Sequence, residues 1–295
     1  MSIPYYHVDV FSGKPLSGNG LTVFTEARRF TDRFMQRITQ EMRQFESIFL
    51  QRLGDFEFKA RVFTCEEELD FAGHPILGAA GVVHDIYFAD RQICEWQFQL
   101  NKKAVWVHTK KEKDQYTSVM DQGMPEFGYV LSEQETLGLL PMMNLEMEDL
   151  YPGLMPCVVS TGLPYLILPL HANGIKAKIK VEDISSTLEK FGAKFTGTLE
   201  IPTLGIRTWD NAGKVEDIAT GSLAGPCGAL LVKYGFKKVN ERFLLNQGAN
   251  IGRPSELYIT IKATETSFWD VWVGGGVCKV GHGFLEPDLI MPYGD

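Results

Sequence analysis

No hydrophobic run in this sequence approaches the roughly 20 residues that a membrane-crossing helix needs. Basic residues are in deficit: 29 Lys and Arg stand against 37 Asp and Glu, a formal net charge of −8. With a sequence pI near 5.4, nucleic acid is not expected as a partner, because phosphate binding relies on basic patches. A small anion held locally by backbone N–H groups stays open. The five cysteines (Cys65, Cys94, Cys157, Cys227, Cys278) form no C-x-x-C pair and no Cys/His cluster of zinc-ligand spacing. Reduced thiols and no metal are expected. The opening MSIPYYHVDVF lacks the basic and apolar regions of a secretory signal, so a cytoplasmic location is expected. There is no G-x-S-x-G elbow, no P-loop and no H-E-x-x-H. The SGNG at 17–20 lacks the spacing and strand–helix context of a dinucleotide fingerprint.

What is present reads as a strand-rich chain of 295 residues, enough for two domains or one large one. YYHVDVF (5–11) and LTVF (21–24) read as strands around a turn-rich loop. Phe34, Ile38, Met42 and Phe45 recur at helical spacing, which predicts a helix over 32–43. FESIFL and DFEFKARVFT (55–64) follow as strands. DFAGHPILGAAGVVHD (70–85) reads as a loop feeding a buried helix, and more strands run to 123. A break falls at MPEFGYVL (124–131). Ser132 and Glu135 then form a capping box that opens a helix. CVVSTG, YLILPL, LEIPTLGIRTW, ELYITIKA and FWDVWVGGGVCKVG continue as strands, apolar on both faces, as sheets wrapped around something are.

DFAGHPILGAAG (70–81) can be laid over DIATGSLAGPCG (217–228), matching Asp70 with Asp217, Ala72 with Ala219 and Gly78 with Gly225. Two such glycine turns in corresponding places suggest a duplicated domain with an active site in the cleft between the halves. Gly73-His74 and Thr220-Gly221-Ser222 each fall where a helix begins. Helix starts gather unpaired N–H groups and hold anions. The alternative is an ordinary pair of tight turns.

In the strand at 45–50, Phe45, Ser47 and Phe49 share one face and Glu46, Ile48 and Leu50 the other. Both faces are apolar, which places Glu46 in the interior or at a cleft edge. Burial raises a carboxyl pKa, and such a group can both give and take a proton. The alternative is a Glu salt-bridged to Arg43 or Lys59. His74 is a candidate polar group or a packed histidine. Asp217 either orients a catalytic partner or caps the next turn.

These residues resemble those of the phenazine-biosynthesis PhzF-like family, relatives of diaminopimelate epimerase. YYHVDVFSGKPLSGNGLTVF, FESIFL, DFAGHPILGAA, EDIATGSLAGPCGALLVKYG, NQGANIGRPSELYITI and VWVGGGVCKVGHGFL carry the resemblance over nearly the whole chain. It implies an α+β fold of two similar domains (1–127 and 128–295), each a barrel-like sheet around a central helix, with the active site in the cleft between them. It also implies a homodimer. Glu46 resembles the family's general acid/base. His74, Asp217 and Ser222 resemble the polar groups around the substrate, with Gly73 beside them; Gly221 and Thr220 complete the second turn.

The activity so implied is isomerisation: a proton is taken from one carbon of a small carboxylated, unsaturated metabolite and returned to another, with no metal and no organic cofactor. Two-thiol epimerase chemistry is disfavoured, because the matching positions are Ala72 and Ile218 or Ala219, and Cys227 lies too far into the helix. A binding protein that has lost its chemistry, and a non-thiol epimerase with Asp217 as second base, are the competing readings. The chain departs from its relatives at Ile218, where many have proline, at RTWD (207–210), and at the early G-N-G. These changes bear on pocket shape and leave the Glu46, His74, Asp217 and Ser222 set complete.

Overall fold

The computed structural model describes residues 2–263 and 269–286. The chain separates into two compact units. One runs to Met120 and resumes at Gly274; the other spans Asp121–Val273.

Unit one contains β1 (Ile3–Val10), β2 (Asn19–Phe24), α1 (Asp32–Met42), β3 (Glu46–Arg52), β4 (Glu57–Thr64), a two-residue β5 (Glu68–Leu69), α2 (Gly73–Tyr87), β6 (Ile93–Gln99), β7 (Ala104–Glu112) and β8 (Gln115–Asp121). Unit two contains β9 (Glu126–Val130), α3 (Glu133–Leu139), β10 (Cys157–Ser160), β11 (Pro164–Leu170), α4 (Ser185–Lys190), β12 (Phe195–Glu200), β13 (Gly205–Thr208), α5 (Gly221–Lys233), β14 (Arg242–Gln247) and β15 (Ser255–Ala263). The last strand, β16 (Trp269–Leu285), begins in unit two and ends in unit one. There it lies between β8 and β1 and closes an eight-stranded barrel.

The two units share one pairing pattern. In the first, β1 and β2 are antiparallel, β2 and β3 parallel, β3 and β4 antiparallel, β4 and β6 parallel, β6 and β7 antiparallel. In the second the same sequence runs through β10, β11, β12, β13, β14 and β15. A parallel pair needs a long crossover. In each unit the second crossover is a helix that is apolar on every side, α2 or α5, buried over most of its length. A helix with no polar face has to be surrounded. Small residues let the strands close on it: a Cβ on Gly78 would sit 2.5 Å from a Leu21 methyl and 2.8 Å from a Val10 methyl, and one on Gly228 would strike Ile259.

β3 is apolar on both faces because it has a helix on each side. Phe49 stacks on Phe24 at 4.8 Å and joins Phe34, Met35 and Ile38 of α1 in one cluster. Glu46, Ile48 and Leu50 share the opposite face, toward α2. Thr31 caps α1 by accepting from Phe34 N at 3.2 Å, and the Ser132/Glu135 capping box opens α3.

Three expectations differ from the structure. LEIPTLGIRTW is two strands, β12 and β13, joined by a turn at 201–204 with Leu204 at φ +56°. β9, β14 and α4 have no counterpart in the pattern reading. Residues 274–286 belong with the first unit, although they follow the second in the chain, and the change of unit falls at Met120/Asp121. Phe268, read as part of the last strand, lies outside the described residues. Among the described residues no helix is long and apolar enough to cross a membrane.

Candidate active site

Glu46 is the first residue of β3, opposite Leu21 of β2 and Thr64 of β4. His74 is the second residue of α2. Glu46 Oε2 lies 3.0 Å from His74 Nδ1, and their side chains are 15% and 10% exposed. Burial pushes the imidazole down to about 3; a hydrogen bond to the Gly20 backbone opposes this and is outweighed. The ring is therefore neutral at ordinary pH, and the contact is a carboxyl group beside a neutral imidazole. Neither charge partner considered from sequence fits the register. Lys59 pairs with Gln51, far along the strand, and Arg43 sits exposed at the end of α1.

Gly73 opens α2. A Cβ there would meet nothing within 4 Å, so the turn faces open space. The N-cap residue Ala72 supplies no side-chain hydrogen bond to the first turn. Its early N–H groups have no capping side chain, which suits an anion. The loop before Gly20 is held by Asp9, whose Oδ2 accepts from Leu16 N at 2.6 Å. Gly18 has φ +70°, and a side chain there would collide with the Val10 carbonyl. The SGNG stretch thus places the backbone that contacts His74, a role that spacing did not disclose.

In unit two the turn before α5 carries the other candidates. Asp217 N donates to Thr208 O at 3.0 Å, and Thr220 Oγ1 donates to Asp217 Oδ2. Asp217 therefore both accepts from the turn it precedes and remains partly accessible. Gly221 is the first residue of α5, and Thr220, its N-cap, likewise supplies no side-chain cap. Ser222 Oγ is 2.9 Å from the buried Tyr165 hydroxyl, whose pKa is raised by burial. Gln247 holds the turn through both ends of its amide.

Within unit one, then, Glu46, His74 and Gly73 come together. Within unit two, Asp217, Thr220, Gly221 and Ser222 do. Gly20, Tyr165 and Gln247 are additions. Gln247 begins the Q-G-x-x-x-G-R-P-S string. Tyr165 has no sequence signal, being 57 residues from its partner. The two thiols of unit two are poorly suited to proton transfer. Cys227 is fully buried inside α5 with its pKa pushed well up by desolvation, and burial raises Cys157 to about 11. The overlaid positions ahead of the two helix starts, Ala72 and Ala219, cannot carry protons.

Set beside known proteins, residues 8–282 match the profile of the phenazine biosynthesis-like (PhzC-PhzF) family. The trans-2,3-dihydro-3-hydroxyanthranilate isomerase of Pseudomonas chlororaphis is 30% identical over 95% of this chain and 98% of its own. An uncharacterized isomerase of Pasteurella multocida is 29% identical, over 100% of this chain and 97% of its own. A solved structure from Pseudomonas aeruginosa, described as a predicted epimerase, superposes with TM-score 0.86 at 42% identity, over 96% of this chain and 99% of that one. The relatives named as isomerases support an isomerase. The chain belongs to the phenazine biosynthesis-like family.

Proposed function

We propose that this isomerase moves a proton within a small, unsaturated, carboxylated metabolite, with Glu46 as the general acid/base. The observation that carries the reading is the Glu46 carboxyl 3.0 Å from the neutral, buried His74 ring. The carboxylate takes a proton from an sp3 carbon, and the electron pair enters the adjacent double bond. The resulting carboxylic acid returns the proton at the far end of the conjugated system. One C–H bond breaks, another forms and a double bond shifts, with no net oxidation. The neutral His74 ring beside the carboxyl adds no charge, so the group can be acid or base in turn. The N–H groups at the start of α2 offer a place for a substrate carboxylate.

In unit two, Asp217 orients or polarises the substrate, and Ser222 with the Thr220-Gly221 backbone supplies hydrogen bonds. Glu46 performs the proton transfer itself, so dialysis against a chelator is expected to leave turnover unchanged. The relatives' activity makes trans-2,3-dihydro-3-hydroxyanthranilate the first compound to test. In D2O the new C–H position should carry either the substrate's own proton or one deuterium exchanged on the Glu46 carboxyl, with no label elsewhere. A deuterium placed on the substrate's reacting sp3 carbon that stays on that carbon in the product would remove the reading.

A second reading is favoured by the epimerase description of the 42%-identical structure. Non-thiol epimerisation with Asp217 as second base would invert a saturated carbon, so the stereochemistry of the product separates the two. The resemblance also implies a homodimer, which sedimentation equilibrium would check.

A further inference from the structure

The turn before α5 contains a hydrogen-bond chain whose directions follow from chemistry alone. The Thr220 backbone N–H can only donate, so the Gln247 amide atom 2.9 Å from it is the oxygen. The Asp217 backbone carbonyl can only accept, so the amide atom 2.9 Å from it is the nitrogen. That NH2 group also donates to Thr220 Oγ1 at 2.9 Å. With the hydroxyl oxygen accepting there, its own hydrogen is directed to the neighbouring Asp217 Oδ2. A flipped amide would set oxygen against oxygen and N–H against N–H, and Gln247 is only 3% exposed, so water cannot relieve the clash.

The frame around the chain is tight. Gly248, at φ +76°, has no room for a side chain beside the Ile218 and Arg253 carbonyls. Ser255 Oγ lies 3.4 and 3.0 Å from the same two carbonyls, and its single O–H can donate to either. The 217–220 and 247–255 segments therefore interlock, and the Q-G-x-x-x-G-R-P-S string is the scaffold of the Asp217 turn.

We propose that Gln247 is a positioning residue for Asp217: it fixes the direction of the Thr220 hydroxyl proton and so holds the Asp217 carboxylate in one orientation, as an acceptor. The functional part of this rests on the reading that Asp217 orients the substrate. The structural part does not.

The test has two arms. In the free protein with labelled threonine, proton NMR should show an exchange-protected Thr220 hydroxyl resonance, identified by its loss in Thr220→Val. It should vanish or exchange rapidly in Gln247→Met, which keeps the side chain's length. In the turnover assay above, Thr220→Val and Gln247→Met should each lower kcat about tenfold, the scale of one lost hydrogen bond, with KM little changed. Thr220→Ser, which keeps the hydroxyl, should recover most of the loss. The double variant should be no slower than the slower single one, because both break the same chain.

An unchanged hydroxyl resonance in Gln247→Met, or losses that multiply in the double variant, would overturn the proposal. Should Gln247→Met fail to fold, the Thr220→Val and Thr220→Ser pair decides: equal activity in the two refutes the relay. Full activity in Glu46→Gln would remove the functional reading instead, while the resonance still reports on the hydroxyl.

Discussion

The side chain of His74 shows how burial alone can set a group's chemistry. Its pKa falls to about 3 from an ordinary 6.5, because desolvation penalises the charged ring. The unfolded chain therefore takes up the proton first as the pH falls. The contribution of neutral His74 to stability is complete above about pH 6.5 and is lost progressively between there and about pH 3. Between pH 7 and pH 5 this amounts to up to about 2 kcal/mol. Urea titrations should show that much less acid sensitivity in His74→Asn than in the parent protein; equal slopes would contradict the assignment. Glu46 was legible in the sequence, since a carboxylate in a strand apolar on both faces is costly unless something accommodates it. Its partner was not, because His74 lies on another element. Charge complementarity suggests Arg43 or Lys59, whereas sheet register turns Lys59 toward Gln51.

Among the elements, α2 and α5 carry the tightest constraints. Gly78 is hemmed in by Val10 and Leu21, so Gly78→Ala overpacks the core and should cost about 1–3 kcal/mol in thermal or urea unfolding. A neutral effect would mean that the strands yield more easily than their packing indicates. In the strands before α5, Arg207 donates from Nε and Nη2 to Glu216 at 2.8 and 2.7 Å and from Nη1 to the Gly174, Ile175 and Ala177 carbonyls. The pair is 13% and 12% exposed. Arg207→Met would strand a shielded carboxylate and should cost about 3 kcal/mol. Elements with strong periodicity or caps, such as α1 and α3, could be placed from pattern. β14 (RFLLNQ) could not, because its exposed positions include Leu244 and its charged start resembles a loop. The turn that splits β12 from β13 has a leucine at positive φ, which turn chemistry does not favour.

At the scale of the whole chain, the duplication is clearer in topology than in sequence. The match of Gly78 with Gly225 and of Gly81 with Gly228 holds for the buried glycines, yet α2 starts at Gly73 and α5 at Gly221, one residue out of step with the same overlay. The motifs identified the family, but no local pattern shows that the last strand returns to the first unit. That return closes the barrel between β8 and β1. A chain ending at Val273 should therefore expose two strand edges, lose amide protection across β1, β2 and β8, and aggregate. Retained protection in those strands would show that the barrel holds without its closing strand.

The central claim is that the Glu46 carboxyl carries the proton, and Glu46→Gln tests it most directly. The amide keeps size and hydrogen bonding but cannot exchange a carbon-bound proton. Turnover of trans-2,3-dihydro-3-hydroxyanthranilate in D2O, followed by NMR, should fall by about a thousandfold or more, with ligand affinity and unfolding midpoint close to those of the parent. Deuterium incorporation at the parent rate in that variant would contradict the account.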